Sequence, residues 1–198
     1  MQVEVKSSAG TSLIPLQTRH FAKRRVTLRG EINMESACEF SDAIAQLNDA
    51  STTEPIDVYI SSPGGEVQAG LFLYDIITDP NSAPIRVHGQ GLVASIAALI
   101  FAAAPYRDLL PNTKMLIHQP LLGNPIRGNA SDIRAISEDL LAVRHRIDTL
   151  FAQHTGRTLE EVQEKTNTES YFTAQEAVAF GLADRVSSYA DMMHYRRD

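Results

Sequence analysis

A single cysteine, Cys38, stands in 198 residues, so no intrachain disulfide can form and a reducing compartment is expected. The six histidines show no zinc-type spacing and Cys38 has no partner thiol, so neither a metal nor another cofactor is expected. Long hydrophobic runs are missing too. The longest, Leu92 to Pro105, is too short to span a bilayer and holds Ser95. Residues 1–22 lack the basic start and apolar stretch of a secretory signal. Nor is there any excess of positive charge. Lys and Arg number 18 against 24 Asp and Glu, a net charge of -6, which argues against a nucleic-acid binder that must neutralise phosphates. Neither G-x-x-x-x-G-K-[ST] nor G-x-G-x-x-G occurs, so the chain is not expected to bind nucleotides. With 43% hydrophobic residues and no internal repeat, a soluble, cytoplasmic, single-domain protein with a sizeable core is expected.

From residue 25 onward, strand and helix signals alternate. Residues 25–29 predict a short strand ended by Gly30, and Phe40, Ala43, Ile44 and Leu47 recur at helical spacing after Asn33, a candidate N-cap. A strand over 56–60 runs into the turn Ser61-Ser62-Pro63-Gly64-Gly65. A helix follows from Val67 to Thr78, then a strand at 85–87, an apolar helix over about 95–104 and a strand at 114–117. The longest helix is predicted from Ser131 to Gln153, with Ile133, Ile136, Leu140, Val143, Ile147 and Leu150 in one narrow stripe. Such a helix can pack on its own domain or project to meet another subunit. Capping boxes at Thr158–Glu161 and Thr173–Glu176 open two short helices, and a last strand covers 184–186. The alternation implies an α/β fold of βαβ units around parallel strands. Residues 1–24 read as a flexible arm, 25–188 as the domain and 189–198 as a tail.

Three places put glycine or a polar group where a fold alone would not ask for it. Gly64 and Gly65, between a strand and a helix, free backbone amides for a phosphate, a carboxylate or a developing oxyanion, or merely make a tight turn. Ser95 is the only hydroxyl in its apolar stretch and sits where a helix begins. It is either a plain N-cap or a nucleophile whose neighbouring Ile96 amide helps hold an oxyanion. His118 ends a strand, where ligands bind in α/β folds. A serine needs an imidazole to take its proton, and the imidazole needs an orienting acid. His118 is the candidate base; Asp132, Asp139, Glu161, Glu169 and Asp184 are all available as the acid.

Four blocks in one order carry a resemblance: 61–65 (SSPGG), 91–97 (GLVASIA), Leu110-Pro111-Asn112, and 115–120 (MLIHQP). They look like the proteolytic-subunit family of the Clp protease over about residues 25–186, and His154-Thr155-Gly156 and 172–177 agree. The resemblance implies a crotonase-like α/β fold with a long projecting handle helix, assembled as two stacked heptameric rings around a chamber. The rings are either one chain or mixed with a second subunit of this type. It implies serine endopeptidase chemistry on unfolded polypeptide delivered by a separate AAA+ unfoldase. Ser95 becomes the nucleophile, His118 the general base, Gly64 and Ile96 the oxyanion amides, and peptide binds by strand addition beside Gly64, Gly65 and Pro120.

The family's aspartate is replaced here by Glu169, one methylene longer. A lost orienting acid costs roughly 10⁴ in rate and a misplacement of about 1 Å roughly 10². A slow peptidase, or one whose triad a partner aligns, is therefore expected. Pro125 stands in the segment after His118 and cannot donate a ladder hydrogen bond, which sets this stretch apart from the family's. Rival readings fit fewer residues: a non-catalytic ring subunit leaves Ser95 and His118 idle, an acyl-CoA binder uses only Gly64, and a serine–lysine site would use Lys114.

Overall fold

Parallel strands need crossovers, and the strand–helix alternation supplies them. The computed structural model describes residues 1–7, 10–123 and 128–193. Its main sheet contains β3 (Arg25–Ile32), β4 (Ile56–Gly65), β5 (Ile85–Ala94), β6 (Tyr106–Leu109) and β9 (Arg185–Val186), hydrogen-bonded in that order and all parallel. Between them run α2 (Met34–Ala50), α3 (Val67–Ile77) and α4 (Ile96–Ala103). The α/β class expected from the sequence is the class observed.

The strand β5 forks the sheet. Arg86 to Gly89 pairs with β6, whereas Leu92 to Ala94 pairs with β7 (Lys114–Ile117). The register against β4 shifts between Ile60 and Ser62, opposite Gly91 at φ 68°. Strong twist at such an irregularity turns the far half of a strand toward a new neighbour. On its other side β7 pairs antiparallel with β8 (Ser170–Thr173). This side branch carries His118 away from the main sheet.

Every residue of α4 is buried. A helix apolar on all sides must lie in the core. Leu99, Ile100 and Phe101 are wholly enclosed, each worth about 1.5–3 kcal/mol of transfer free energy. Gly70 of α3 has no room for a side chain because Ile96 fills the space, so α3 lies directly on the first turn of α4.

Beyond α4, the chain forms α5 (Ala130–Thr155), α6 (Leu159–Thr166), α7 (Ala174–Phe180) and α8 (Tyr189–Met193). The predicted capping boxes at Thr158 and Thr173 are both formed, and Gly156 and Gly181 end α5 and α7 in the left-handed conformation. The stripe on α5 divides in two. Ile147 is buried together with the neighbouring Phe151, while Ile133 of the stripe and the neighbouring Leu141 are 45% and 60% exposed. The first half of the helix thus leaves apolar surface uncovered by its own chain.

Several expectations are corrected. Residues 2–7 and 10–15, read from the sequence as part of an arm, form β1 (Gln2–Ser7) and β2 (Gly10–Pro15), paired antiparallel and followed by α1 (Leu16–Phe21). The alternation of Val3 and Val5 with Gln2, Glu4 and Lys6 was the available signal in β1. The strands at 25–29, 56–60 and 85–87 extend to Ile32, Gly65 and Ala94. Their glycines are carried within the ladders. Pro125, and His194 to Asp198 of the tail, lie outside the described residues.

One buried polar group belongs to the sheet. His88 is fully buried, stacked on Tyr59 at 4.9 Å, with Nε2 3.1 Å from Asp57 Oδ1 and Nδ1 3.7 Å from Asp108 Oδ2. Arg86 and Arg185 pair with the two carboxylates. Burial alone would lower the His88 pKa, but Asp108 and Asp57 outweigh it and raise it.

Candidate active site

Ser95 stands between β5 and α4 at φ 57° and ψ −129°. Non-glycine residues rarely occupy this region, and holding one there costs about 1–3 kcal/mol. Its side chain makes no capping hydrogen bond, so the plain N-cap reading fails. The strained backbone turns the hydroxyl away from the helix it would otherwise cap. Two bonds hold the turn: Ser95 N–H donates to the Leu116 carbonyl at 2.8 Å, and Ala98 N–H donates to the Ser95 carbonyl at 2.9 Å. The first ties the serine to β7, the strand that delivers His118.

Gly64 lies flush against this turn. A Cβ there would come within 2.6 Å of Ser95 Cβ and 2.9 Å of the Ala94 carbonyl, and its φ is +100°. Only glycine satisfies both conditions. Gly65 is packed as closely on the Ile32 backbone. The Gly64 N–H donates to Ser62 Oγ at 3.1 Å, an engagement that sequence reading did not foresee. Ile96 opens α4, where first-turn amides lack intrahelical acceptors.

Ser95, Ile96, His118 and Pro120 line one cleft of about 20 Å³ with Val67, Ile147 and Phe151. The nucleophile and base candidates, 23 positions apart in sequence, thus share a pocket walled by apolar side chains. No hydrogen bond joins them directly among the described contacts. His118 Nδ1 lies 2.7 Å from the Gln119 carbonyl oxygen. A carbonyl only accepts, so Nδ1 donates here, and in the neutral imidazole this leaves on Nε2 the lone pair a general base needs.

Glu169 immediately precedes β8. The β7–β8 ladder ends at the Ile117–Ser170 pair, with His118 and Glu169 each one residue beyond it. The Glu169 carboxylate nonetheless accepts from the Tyr171 hydroxyl at 3.0 Å, and no described bond joins it to His118. That bond and the carboxylate's charge raise the Tyr171 pKa. Other candidate acids are occupied elsewhere: Asp132 and Glu161 in capping boxes, Asp184 on Arg107. Asp139 lies in a second, apolar groove of about 390 Å³ that adjoins the cleft through Val67 and Pro120. Leu121, Leu122, Ile136, Leu140 and Val143 also line it.

Sequence reading gave no role to Tyr171, or to Gln119 although it stands in the 115–120 block. It also passed over Asp148, which is buried on α5. A carboxylate inside an apolar stripe, directly after Ile147, was the available signal. Among the described residues no cluster of three metal-binding side chains occurs, and no helix is long and apolar enough to cross a membrane.

A parallel sheet that brings a strained serine and a histidine with its Nδ1 on a backbone carbonyl into one small cleft has the form of a serine-hydrolase site. Residues 8–190 match the family model described as Clp protease. The chain is 41% identical over 174 residues to the ATP-dependent Clp protease proteolytic subunit 2 of Gluconobacter oxydans (strain 621H), covering 86% of this chain and 77% of that protein. It is 36% identical, also over 174 residues, to the protein of the same name from Treponema denticola, covering 87% and 86%. The chain belongs to the Clp protease family and is a peptidase of the serine class.

Proposed function

We propose that this chain is the proteolytic subunit of an ATP-dependent protease, with Ser95 as nucleophile, His118 as general base and Glu169 as the third triad member. The observation that carries it is the strained, uncapped Ser95 sharing a cleft with a histidine whose Nδ1 donates to the Gln119 carbonyl. Ser95 Oγ attacks the scissile carbonyl while His118 Nε2 takes its proton. The Ile96 N–H and the Gly64–Gly65 turn face the oxygen that becomes negative, with Gly64 N–H exchanging Ser62 for the oxyanion. His118 then returns the proton to the departing amine, and water releases the acyl group by the same route in reverse. Glu169, one residue beyond the β7–β8 ladder as His118 is, supplies negative charge to the imidazolium once its carboxylate leaves Tyr171.

The apolar groove beside the cleft fits an apolar substrate side chain, since the cleft itself has room for little more than one water. The uncovered first half of α5 supports assembly into rings, because an exposed apolar stripe on a projecting helix marks an interaction surface. Two stacked heptamers, homomeric or mixed, match the family architecture, and ATP hydrolysis falls to a separate unfoldase that feeds unfolded polypeptide into a cytoplasmic chamber.

The test is fluorophosphonate labelling together with hydrolysis of a short fluorogenic peptide, with and without an unfoldase. Labelling confined to Ser95 and abolished by Ser95→Ala and His118→Ala supports the assignment. Glu169→Asp is expected to raise kcat by restoring the shorter acid. Wild-type protein that stays unlabelled while assembled would overturn the proposal.

A further inference from the structure

The carboxyl group of Asp148 is fully buried on α5, yet the chemistry above gives it nothing to do. Burying a charge is costly unless partners compensate, and an apolar residue would fill this helix face as well. Its partners lead toward the active site. Asp148 Oδ1 accepts from the Thr166 hydroxyl at 2.8 Å, inside the protein. The Thr166 carbonyl accepts the Gln119 backbone N–H at 2.7 Å. The Gln119 carbonyl in turn accepts the Nδ1 proton of His118. Asn167 reinforces the tie, taking the Gln119 side-chain amide on its carbonyl at 3.0 Å and Arg144 on its side chain at 3.4 Å. Arg144 Nε also lies 3.6 Å from the second Asp148 oxygen. One turn of α5 therefore floors the cleft with Ile147 and Phe151 and anchors the segment that follows the base.

We infer that Asp148 is a positioning residue for His118, acting through Thr166 and the Gln119 backbone. The inference rests on the serine-peptidase reading of the site. With Glu169 turned to Tyr171, the Gln119 carbonyl is what holds the imidazole in the tautomer that can accept the Ser95 proton. That carbonyl is only as well placed as the Thr166 anchor beneath it. Loss of the anchor lets the imidazole shift, and about 1 Å is enough to cost roughly a hundredfold.

The experiment measures kcat, KM and the rate of fluorophosphonate labelling on the assembled full-length chain. Asp148→Ala and Thr166→Val each remove one end of the buried bond, while Asp148→Asn and Thr166→Ser keep an acceptor and a donor. The expected result is a roughly ten- to hundredfold fall in kcat and labelling for the first pair, with KM little changed. The second pair should return to within about threefold of wild type. If Asp148→Ala does not fold, Thr166→Val, which leaves the volume nearly unchanged, carries the test. Variants of the first pair with lowered melting temperature but unaltered kcat and labelling would overturn the inference, as would failure of both conservative variants to rescue. Absence of labelling in the wild type would instead defeat the peptidase assignment of Ser95.

Discussion

Replacing Gly64 by alanine tests the site at its tightest contact. The new Cβ would stand 2.6 Å from Ser95 Cβ, about 0.9 Å short of the roughly 3.5 Å at which carbon atoms meet comfortably. The Ala94 carbonyl at 2.9 Å closes the other side, so Ser95 must move by nearly that distance. A displacement of about 1 Å at a nucleophile costs roughly a hundredfold in rate. The residue's φ of +100° adds backbone strain, worth about 1–2 kcal/mol for a residue with a Cβ. Gly30 separates the two effects. It also has positive φ, +77°, but a Cβ there would meet nothing within 4 Å. Gly30→Ala should therefore lose only stability, read as a lower denaturation midpoint, with kcat unchanged. Gly64→Ala should lose stability and about a hundredfold in peptide hydrolysis and Ser95 labelling. Equal kcat for the two variants would refute the argument that Gly64 sets the position of the nucleophile.

Tyr171→Phe removes the only described donor to the Glu169 carboxylate. Peptide hydrolysis should rise about two- to fivefold as the acid becomes available to His118, and unchanged or reduced kcat would show that Tyr171 does not compete for it. The buried His88 cluster predicts a pH dependence of stability. His88 has a raised pKa in the folded chain, so its contribution is fully present below the unfolded value and is lost as pH rises through the folded one. For Asp57 and Asp108, burial alone would raise the pKa. Hydrogen bonds and charges from His88 and the arginines outweigh it and hold both carboxylates lower. Their contribution is present above the unfolded carboxylate range and is lost as pH falls through the lowered values. Denaturant titrations of the wild type and His88→Leu should differ most in weakly acidic solution and converge above neutrality; a gap independent of pH would exclude the cluster as its source.

The α/β class, most of the order of strands and helices from residue 25 and the caps at Thr158 and Thr173 were legible because each rests on local chemistry, whereas the four-residue strands β6 and β8 were not read. Periodicity reports which face is buried, and a Thr three residues before a Glu reports a helix start. Ser95 and His118 were also legible, the one as a hydroxyl in an apolar stretch and the other at a strand end. The fork in β5 was not, since it depends on which neighbour each half of one strand meets. The N-terminal strand pair was half legible: Val3 and Val5 alternate with polar residues in β1, while β2 is exposed at all but one position and carries no such pattern.

By itself the sequence determined which residues are candidates for chemistry: a serine that needs a base, a histidine to serve it, glycines between a strand and a helix, and a glutamate where the family resemblance implies an aspartate. Tertiary structure alone decided their state. Side chains choose hydrogen-bond partners by distance and direction, and these follow from packing across elements far apart in the chain. That is why Glu169 is bound to Tyr171, His118 to the Gln119 carbonyl and Gly64 N–H to Ser62. It is also why a buried aspartate on α5, passed over in the sequence, lies at the root of the bonds beneath the proposed base.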